Sequence, residues 1–462
     1  MASHHHPGRS SHSLSFLWLQ QILILILQLS ISSSDAFLLH ITSKTPPAKS
    51  ASTTTTATNT LLFAKPPSWN DVEAMMAPAI HAPTPSNIDS VLTPEKPNYS
   101  SERPTLFRER HGWCPYSERV WLTLELLDIP YDTIRIDNTG GGRPSWYAGQ
   151  TPQMRWPDGR IQGESYDLVQ ALLDTDRGDT QALKTNDADV NHCVNIFRNI
   201  FPRARPSSRA AFLFQYNGEP LWKSTFEETL QKTDDLLGKT QGPFFCGNDV
   251  TGADIAWAPF LERYRYQLPC LHQGLQPDDA SSYPHLSAWY QAMNTQLPAY
   301  ACRVQGDASS WRKVLTMAGF GNAGLPPNIA GNMEELVLAE QQAAASQATT
   351  MIVPEIWKQY AASRPYVAES PQKEAALIMT RNRERILADA LKRGGDGLPM
   401  QSEEELDTAL RELAMLLFEH KEECDNPHVG ALARFLDERM CVPRDMGAMS
   451  AAAMKHLANK LH

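Results

Sequence analysis

The sequence Cys-Pro-Tyr-Ser-Glu-Arg-Val at residues 114–120 decides how the fold of this chain is interpreted. Pro115 suits the first turn of a helix, because the N–H group that proline lacks has no intrahelical partner there. Upstream, residues 105–109 show the short apolar alternation of a strand, and residues 131–137 show a second such pattern downstream. The segment therefore predicts a strand, a loop, a helix that begins at Cys114 and a further strand.

A cysteine at the N-terminus of a helix has a distinctive chemistry. The unpaired N–H groups and the positive end of the helix dipole stabilise a thiolate, and they lower its pKa from about 8.5 to between about 3.5 and 7.5. The alternative is a small buried apolar residue, which is the ordinary role of an isolated cysteine. The helix start and the motif that follows favour a reactive thiol at Cys114.

A second motif covers residues 149–165. Its pattern predicts a strand, an Asp-Gly turn, another strand and a helix that begins near Ser165. Pro152 stands where a cis peptide bond would present the backbone of Thr151 to a peptide-like ligand. Glu164 and Ser165 place an acceptor and a hydroxyl at a helix N-terminus, where an α-carboxylate and an amine can bind.

Taken together, these motifs resemble the cysteine-type glutathione transferases of the omega, lambda and dehydroascorbate-reductase classes. The resemblance rests on the Cys-Pro-Tyr-Ser motif, on Leu-Asp-Ile-Pro-Tyr at residues 127–131, and on a capping-box spacing between Thr251 and Asp254. Residues 104–176 resemble the thioredoxin-like domain of that family, and residues 185–318 resemble its helical domain. The expected fold class is therefore α/β plus all-α.

The resemblance implies a role for each residue of the two motifs. Cys114 would form a mixed disulfide with glutathione, which is the implied co-substrate. The backbone of Thr151 would bind the cysteinyl group of glutathione, and Pro152 would be the cis-proline. Glu164 and Ser165 would hold the γ-glutamyl end.

The sequence also departs from the family pattern. Ser117 replaces a second thiol, so the expected cycle uses one cysteine and serves protein deglutathionylation or dehydroascorbate reduction. Glycines at residues 140–142 occupy the place of a lysine-containing loop, which leaves Arg143 or Arg155 as the alternatives for the glycyl carboxylate. The rival interpretation is a non-catalytic binding or adaptor protein with a transferase fold.

The composition limits the partners. A net charge of −10 argues against nucleic acid, since binding to phosphates needs clustered lysine and arginine. The seven cysteines are odd in number and form no C-x-x-C pair, which predicts free thiols and no metal site. We expect glutathione and a small-molecule or glutathionylated protein substrate as partners. The oligomeric state stays open, with a homodimer as one option.

The first hundred residues predict targeting segments. Residues 1–36 have the layout of a signal peptide, with a membrane anchor as the alternative. Residues 37–66 contain no acidic residue and are rich in serine and threonine, which is typical of a transit peptide. We therefore expect import into a plastid, with the secretory pathway as the alternative and no permanent membrane span. Residues 67–103 are rich in proline and are interpreted as a linker.

Residues 319–462 exceed the usual length of the family and predict a helical extension. Helical patterns are found at residues 333–351, 371–392 and 402–420, and from residue 429 to the end. No catalytic constellation is found there. The extension could cover the pocket or form a partner surface, and the sequence does not decide between them.

Overall fold

The computed structural model describes residues 67–138, 143–175, 183, 188–201, 213–215, 219–316, 351–394, 398–400 and 402–461. The predicted signal peptide, the predicted transit peptide and the glycines at residues 140–142 lie outside the described residues. So does the helix predicted at residues 333–351, apart from its last residue. Within the described part of the chain, no helix is long and apolar enough to cross a membrane.

A mixed sheet of five strands forms the first layer of the described structure. The strands are β1 (Asn87–Asp89), β2 (Thr105–Glu109), β3 (Asp132–Ile136), β4 (Gln153–Arg155) and β5 (Ile161–Gln162). They are arranged in the order β1-β3-β2-β4-β5. β3 runs parallel to both β1 and β2, whereas β4 is antiparallel to β2 and to β5. The predicted strands at residues 105–109 and 131–137 are therefore confirmed.

The α-helices of the described residues are numbered in chain order. They are α1 (Trp69–Met76), α2 (Pro115–Leu126), α3 (Ser165–Leu173), α4 (Ala188–Ile200), α5 (Lys223–Leu237), α6 (Gly252–Leu271), α7 (Pro284–Gln296), α8 (Ala308–Thr316), α9 (Pro354–Ala362), α10 (Pro371–Arg381), α11 (Arg383–Arg393), α12 (Glu403–Glu419), α13 (Pro427–Arg439) and α14 (Ala448–Lys460). A 3₁₀ turn follows α1 at Ala77–Ala79, and a π-helical turn precedes α8 at Tyr300–Val304.

One apolar core joins the sheet domain to the helices α4–α8. It includes Val120 of α2, Leu168 of α3 and Trp257 of α6, all of which are fully buried. The capping box predicted at the start of α6 is confirmed, because Thr251 and Asp254 bond reciprocally. Asp254 also accepts a hydrogen bond from Trp289 Nε1 at 2.9 Å, so this box ties α6 to α7.

Residues 67–103 are folded, so the interpretation of this segment as a linker is wrong. α1 packs on the extension, where Trp69 Nε1 donates to Asp407 Oδ1 at 2.6 Å. β1 adds an edge strand to the sheet, and Arg103 pairs with Asp132 of β3 at 3.0 Å. The proline-rich composition of residues 67–103 predicted a linker. The segment is nevertheless held in place by contacts with residues that are distant in the sequence.

The extension forms a second apolar core together with α1. The predicted helix start at Ser402 is confirmed, since Ser402 caps α12 with a capping box to Glu405. The pattern at residues 371–392 divides into α10 and α11, with a break at Asn382. The pattern from residue 429 likewise divides into α13 and α14, and the residues between them hold Pro443.

The extension is also attached to the C-terminal end of α2. Arg364, which follows α9, donates to the carbonyl of Glu125 at 2.5 Å. The Glu125 carboxylate accepts hydrogen bonds from Tyr131 at 2.6 Å and from Tyr360 of α9 at 3.2 Å. α2 is therefore enclosed by the sheet, by the helical domain and by the extension.

Candidate active site

Cys114 is the N-cap residue of α2, with Pro115 in the first turn, as the sequence predicted. Its side chain is half-buried. Burial raises the pKa of the Cys114 thiol, and the negative charge of Glu109 adds to this. Hydrogen bonds from Ser117 and from the backbone of Tyr116 act to lower the same pKa. The net direction is opposite to the predicted lowering, because loss of hydration outweighs these hydrogen bonds.

The loop before Cys114 is held by the carboxylate at the end of β2. Glu109 accepts a hydrogen bond from the N–H of His111 at 2.8 Å and another from the N–H of Trp113 at 2.7 Å. The rings of His111 and Trp113 stack with their centroids 4.4 Å apart. Gly112 between them has a φ of 79°, a conformation that side chains with a Cβ rarely adopt. The backbone at residues 111–113 is thus tightly constrained.

A buried arginine of the helical domain also reaches this loop. Arg263 of α6 donates to the carbonyl of Trp113 at 2.9 Å and forms an ion pair with Glu118 of α2 at 2.7 Å. Both charged side chains are almost completely excluded from solvent, at 0% and 2% exposure. The guanidinium lies 4.1 Å from the centre of the Trp311 ring. Nothing in the local sequence pattern around Arg263 distinguishes this role, which depends on contacts distant in sequence.

The predicted cis peptide bond is present between Thr151 and Pro152. Asn138 Nδ2 donates to Thr151 Oγ1 at 2.5 Å, and the Tyr147 hydroxyl donates to the carbonyl of Gln150 at 2.8 Å. Cys114 lies close enough to Tyr147 to raise the pKa of that phenol, although burial is the larger cause. Asn138 and Tyr147 therefore hold the segment that ends at Thr151 from two sides.

Glu164 and Ser165 stand at the start of α3, as the sequence predicted. Glu164 is the N-cap residue and has a φ of 60°, in the left-handed region that favours glycine. Strained backbone of this kind costs about 1–3 kcal/mol and is found preferentially at functional sites. Ser165 is buried as the first residue of the helix, where N–H groups lack helical partners. The two residues therefore have the backbone geometry of an anion-binding helix start.

A polar cavity of about 380 Å³ opens at this helix start, between the sheet domain and the helical domain. Its lining combines two arginines with acidic, hydroxyl and aromatic side chains, namely Tyr116, Arg119, Glu164, Ser165, Tyr166, Asp167, Val194, Phe197, Arg198 and Ala256. Cys114, Thr151 and Pro152 are not among these residues. The structure thus places Glu164 and Ser165 in the cavity wall, and the other predicted site residues outside it.

Tyr166 and Arg198 are two of the cavity residues that were not predicted from the sequence. Among the described residues, the Tyr166 hydroxyl is a buried polar atom without a hydrogen-bond partner. Arg198 of α4 lies with its guanidinium 5.7 Å from the centre of the Tyr166 ring. Tyr166 directly follows the predicted Glu-Ser pair, so its position was a signal, whereas Arg198 depends on how α4 packs.

The two arginines left open for the glycyl carboxylate lie against different aromatic rings. The guanidinium of Arg143 lies 5.1 Å from the ring centre of Tyr147. Burial raises the pKa of Tyr147, and the charge of Cys114 raises it further. Arg155 instead lies 4.7 Å from the ring centre of Tyr99 and contacts the backbone of Ser100. Within the described part of the chain, no group of three histidine, cysteine or acidic residues could hold a metal ion.

Comparison with known proteins agrees with this arrangement. Residues 113–175 match the model of the glutathione S-transferase N-terminal domain, and residues 198–292 match that of the C-terminal domain. The chain is 28% identical to glutathione S-transferase L3 of Arabidopsis thaliana over 194 residues, which are 39% of this chain and 74% of that protein.

Two further Arabidopsis thaliana proteins are similar over shorter shares of their length. Glutathione S-transferase DHAR2 is 26% identical over 153 residues, covering 32% of this chain and 66% of that protein. Glutathione S-transferase L2, chloroplastic, is 26% identical over 203 residues, covering 40% of this chain and 62% of that protein. The described structure therefore has a thioredoxin-like N-terminal domain and a helical C-terminal domain similar to those of the glutathione S-transferases, together with further helices.

Proposed function

We propose that this protein is a glutathione-dependent thiol transferase or reductase in which Cys114 forms a mixed disulfide with glutathione. The observation that carries the proposal is a half-buried thiol at the N-cap of α2, the helix that packs against the cavity at Glu164 and Ser165. The relatives named glutathione S-transferase L3 and glutathione S-transferase DHAR2 support the same chemistry. Both protein deglutathionylation and dehydroascorbate reduction fit a cycle with one thiol.

In this proposal glutathione is bound along three contacts. The γ-glutamyl carboxylate accepts hydrogen bonds from the hydroxyl and backbone N–H of Ser165, because both belong to an open helix start. The unpartnered hydroxyl of Tyr166 is a further donor in the same cavity. The cysteinyl backbone pairs with Thr151, and Arg143 is the candidate for the glycyl carboxylate, since it lies beside Tyr147.

For a glutathione mixed-disulfide substrate, the proposed cycle has two thiol–disulfide exchanges. The thiolate of Cys114 attacks the glutathione sulfur of a mixed disulfide, which forms a Cys114–glutathione bond and releases the substrate as a thiolate. A second glutathione thiolate then attacks that bond, releasing glutathione disulfide and restoring Cys114. Ser117 supplies a hydrogen bond to the sulfur, and as a serine it cannot form a disulfide with Cys114.

The raised pKa of Cys114 sets the resting state in this scheme. The free protein holds mainly the protonated thiol near neutral pH, because burial disfavours the charged form. Attack requires the thiolate, so turnover increases with pH as more of it forms. The hydrogen bonds from Ser117 and Tyr116 are the groups that stabilise the thiolate once it exists.

The test of the proposal is Cys114→Ser in the full-length protein. We expect kcat/KM for reduction of a glutathione mixed disulfide, and of dehydroascorbate, to fall by at least about a thousand-fold, as the nucleophile is lost. Cys424→Ser is the matched control, because Cys424 is another half-buried cysteine but lies in the extension. Unchanged activity of Cys114→Ser would overturn the mechanism, and glutathione binding without turnover by the wild type would indicate the adaptor instead.

We also propose that the protein is imported into a plastid. The support is the composition of residues 1–66 and the similarity to a transferase named chloroplastic. A fluorescent fusion of residues 1–70 is expected to accumulate in the plastid. Retention of the fusion in the endoplasmic reticulum would contradict this.

A further inference from the structure

The extension contacts the loop that leads into Cys114. The turn at residues 441–445, between α13 and α14, lies against residues 111–113. Arg444 Nη1 lies 3.2 Å from Nδ1 of His111. A Cβ added to Gly112 would lie 3.5 Å from the ring of Pro443, so the backbone of Gly112 packs against that ring. We call residues 441–445 the tail turn and residues 111–113 the cysteine loop.

The tail turn is itself firmly anchored. Arg444 forms two hydrogen bonds with the carboxylate of Asp445, each of 2.7 Å. That carboxylate also accepts the N–H of Cys441 at 3.0 Å, which closes the turn. The N–H of Val442 donates to Ser310 Oγ at 2.8 Å, in a buried contact with α8. Arg444 is therefore oriented before it meets His111, and bidentate pairs of this kind are the best-defined in geometry.

His111 is held in the form that can accept from Arg444. Burial lowers the pKa of His111, and the positive charges of Arg444 and Arg110 lower it further, while Glu109 and Asp137 oppose them. An arginine side chain only donates hydrogen bonds, so Nδ1 of His111 is the acceptor. The ring that receives this bond stacks on Trp113, the residue next to Cys114.

The cysteine loop is thus fixed from three directions. Glu109 holds its N–H groups, Arg263 holds the Trp113 carbonyl, and Arg444 holds the His111 ring. Glu109 and Arg263 belong to the parts of the chain that match the glutathione S-transferase domains or directly precede them, whereas Arg444 lies 152 residues beyond the end of the C-terminal match at residue 292. The tail turn is therefore an addition to the ordinary architecture of the site.

We propose that the C-terminal extension contributes to this active site through Arg444, which acts as a positioning residue. Arg444 holds the cysteine loop in place, and the cysteine loop in turn positions Cys114. The expected change in kcat rests on the glutathione-dependent function proposed above. The expected change in the cysteine loop does not depend on that function. Arg444 is not among the residues that line the cavity, so its expected effect is on the rate of the chemical step and not on the binding of glutathione.

The experiment compares Arg444→Ala with wild type in the full-length protein. We expect amide hydrogen exchange to become faster in the peptide covering residues 109–114, with unchanged exchange in β3. We also expect kcat to fall about ten-fold, as small misplacements of reacting groups cost this much or more, with KM for glutathione within about two-fold. Arg439→Ala is the matched control, because Arg439 is an exposed arginine of the same extension and pairs with Asp389. It should change neither readout.

A second pair of variants separates positioning from general stability. His111→Phe keeps a ring stacked on Trp113 but removes Nδ1, so Arg444→Ala should add little in this background. Arg444→Lys retains a cation and is expected to restore part of kcat. Additive effects of the two substitutions, or unchanged exchange at residues 109–114 in Arg444→Ala, would overturn the proposal. If the wild type shows no glutathione-dependent turnover, the proposed function fails, while the exchange measurement still decides the role of Arg444.

Discussion

The cysteine loop and helix α2, which follows it, have two faces that differ in their chemistry. On the cavity face, Ser165 and Tyr166 present polar groups that a ligand can satisfy. On the opposite face, Arg263 and Glu118 form an ion pair that is almost fully buried. Glu262 lies beside them and accepts hydrogen bonds from Tyr300 and Trp311 at 2.9 Å and 2.6 Å. One face is left open to binding, and the other is closed.

The closed face shows what a buried charge cluster contributes. Burial raises the pKa of Glu262 well above its usual range, and the negative charge of Glu118 raises it further. Burial raises the pKa of Glu118 as well, while the positive charge of Arg263 and its hydrogen bond act to lower it. Such an arrangement adds little net stability over an apolar core, but it tolerates only one geometry. Its value lies in fixing the Trp113 carbonyl, and with it the position of Cys114.

The largest expected effect comes from breaking the closed face. Arg263→Met should lower the free energy of unfolding by about 3–5 kcal/mol, because it leaves Glu118 buried without its cation. Urea-induced unfolding followed by fluorescence measures this loss. Arg265→Met on the same helix is the control, since Arg265 and its partner Asp278 are partly exposed, at 25% and 34%. A loss for Arg263→Met no greater than for Arg265→Met would contradict the distinction between the faces.

A smaller effect is expected on the open face. Ser165→Ala should raise KM for glutathione by about ten-fold, because one hydrogen bond to a charged group contributes about 1.5 kcal/mol or more. The free energy of unfolding should hardly change, since this face makes few internal bonds. Initial-rate kinetics at varied glutathione concentration provide the measurement. Ser224→Ala serves as the control, because Ser224 is an exposed serine near the start of another helix, α5; an equal change in both variants would remove Ser165 from the site.

The smallest expected effect concerns the pH dependence of alkylation at Cys114. The thiol form of Cys114 is favoured, because burial in the folded protein raises its pKa. We therefore expect alkylation to reach half its maximal rate at a pH above the ordinary cysteine pKa of about 8.5. Ser117→Ala should move this midpoint further upward, because it removes a hydrogen bond that lowers the pKa. Mass spectrometry of the peptide containing Cys114 after timed iodoacetamide treatment measures the rate. A midpoint below that value would show that the helix N-terminus outweighs burial.

The open face could be predicted from the sequence because its signals are local. A proline in the first helical turn, an Asp-Gly turn and a Glu-Ser pair before an apolar run each act within a few residues. The strands, the start of α2, the cis bond before Pro152 and the start of α3 therefore lie where they were predicted.

The closed face could not be predicted for the opposite reason. Arg263 and Trp113 are separated by 150 residues, and Arg444 and His111 by 333. No periodicity or motif connects such positions. The pKa of Cys114 was predicted in the wrong direction because the helix start was visible in the sequence, whereas the burial that outweighs it depends on the folded structure.

The attachment of the extension to both ends of α2 has a consequence for the synthesis of the chain. Arg364 and Glu125 are 239 residues apart, and the contact of the tail turn with His111 spans almost the whole described chain. Contacts between residues this far apart form late in folding. The reason is that both segments must be present before the loop between them can close, and closing the loop has an entropic cost. The two transferase-like domains leave the ribosome first and can fold as units. The surroundings of Cys114 are completed only when residues 441–445 have been synthesised, so a chain terminated before them would carry the thiol without the contact from Arg444.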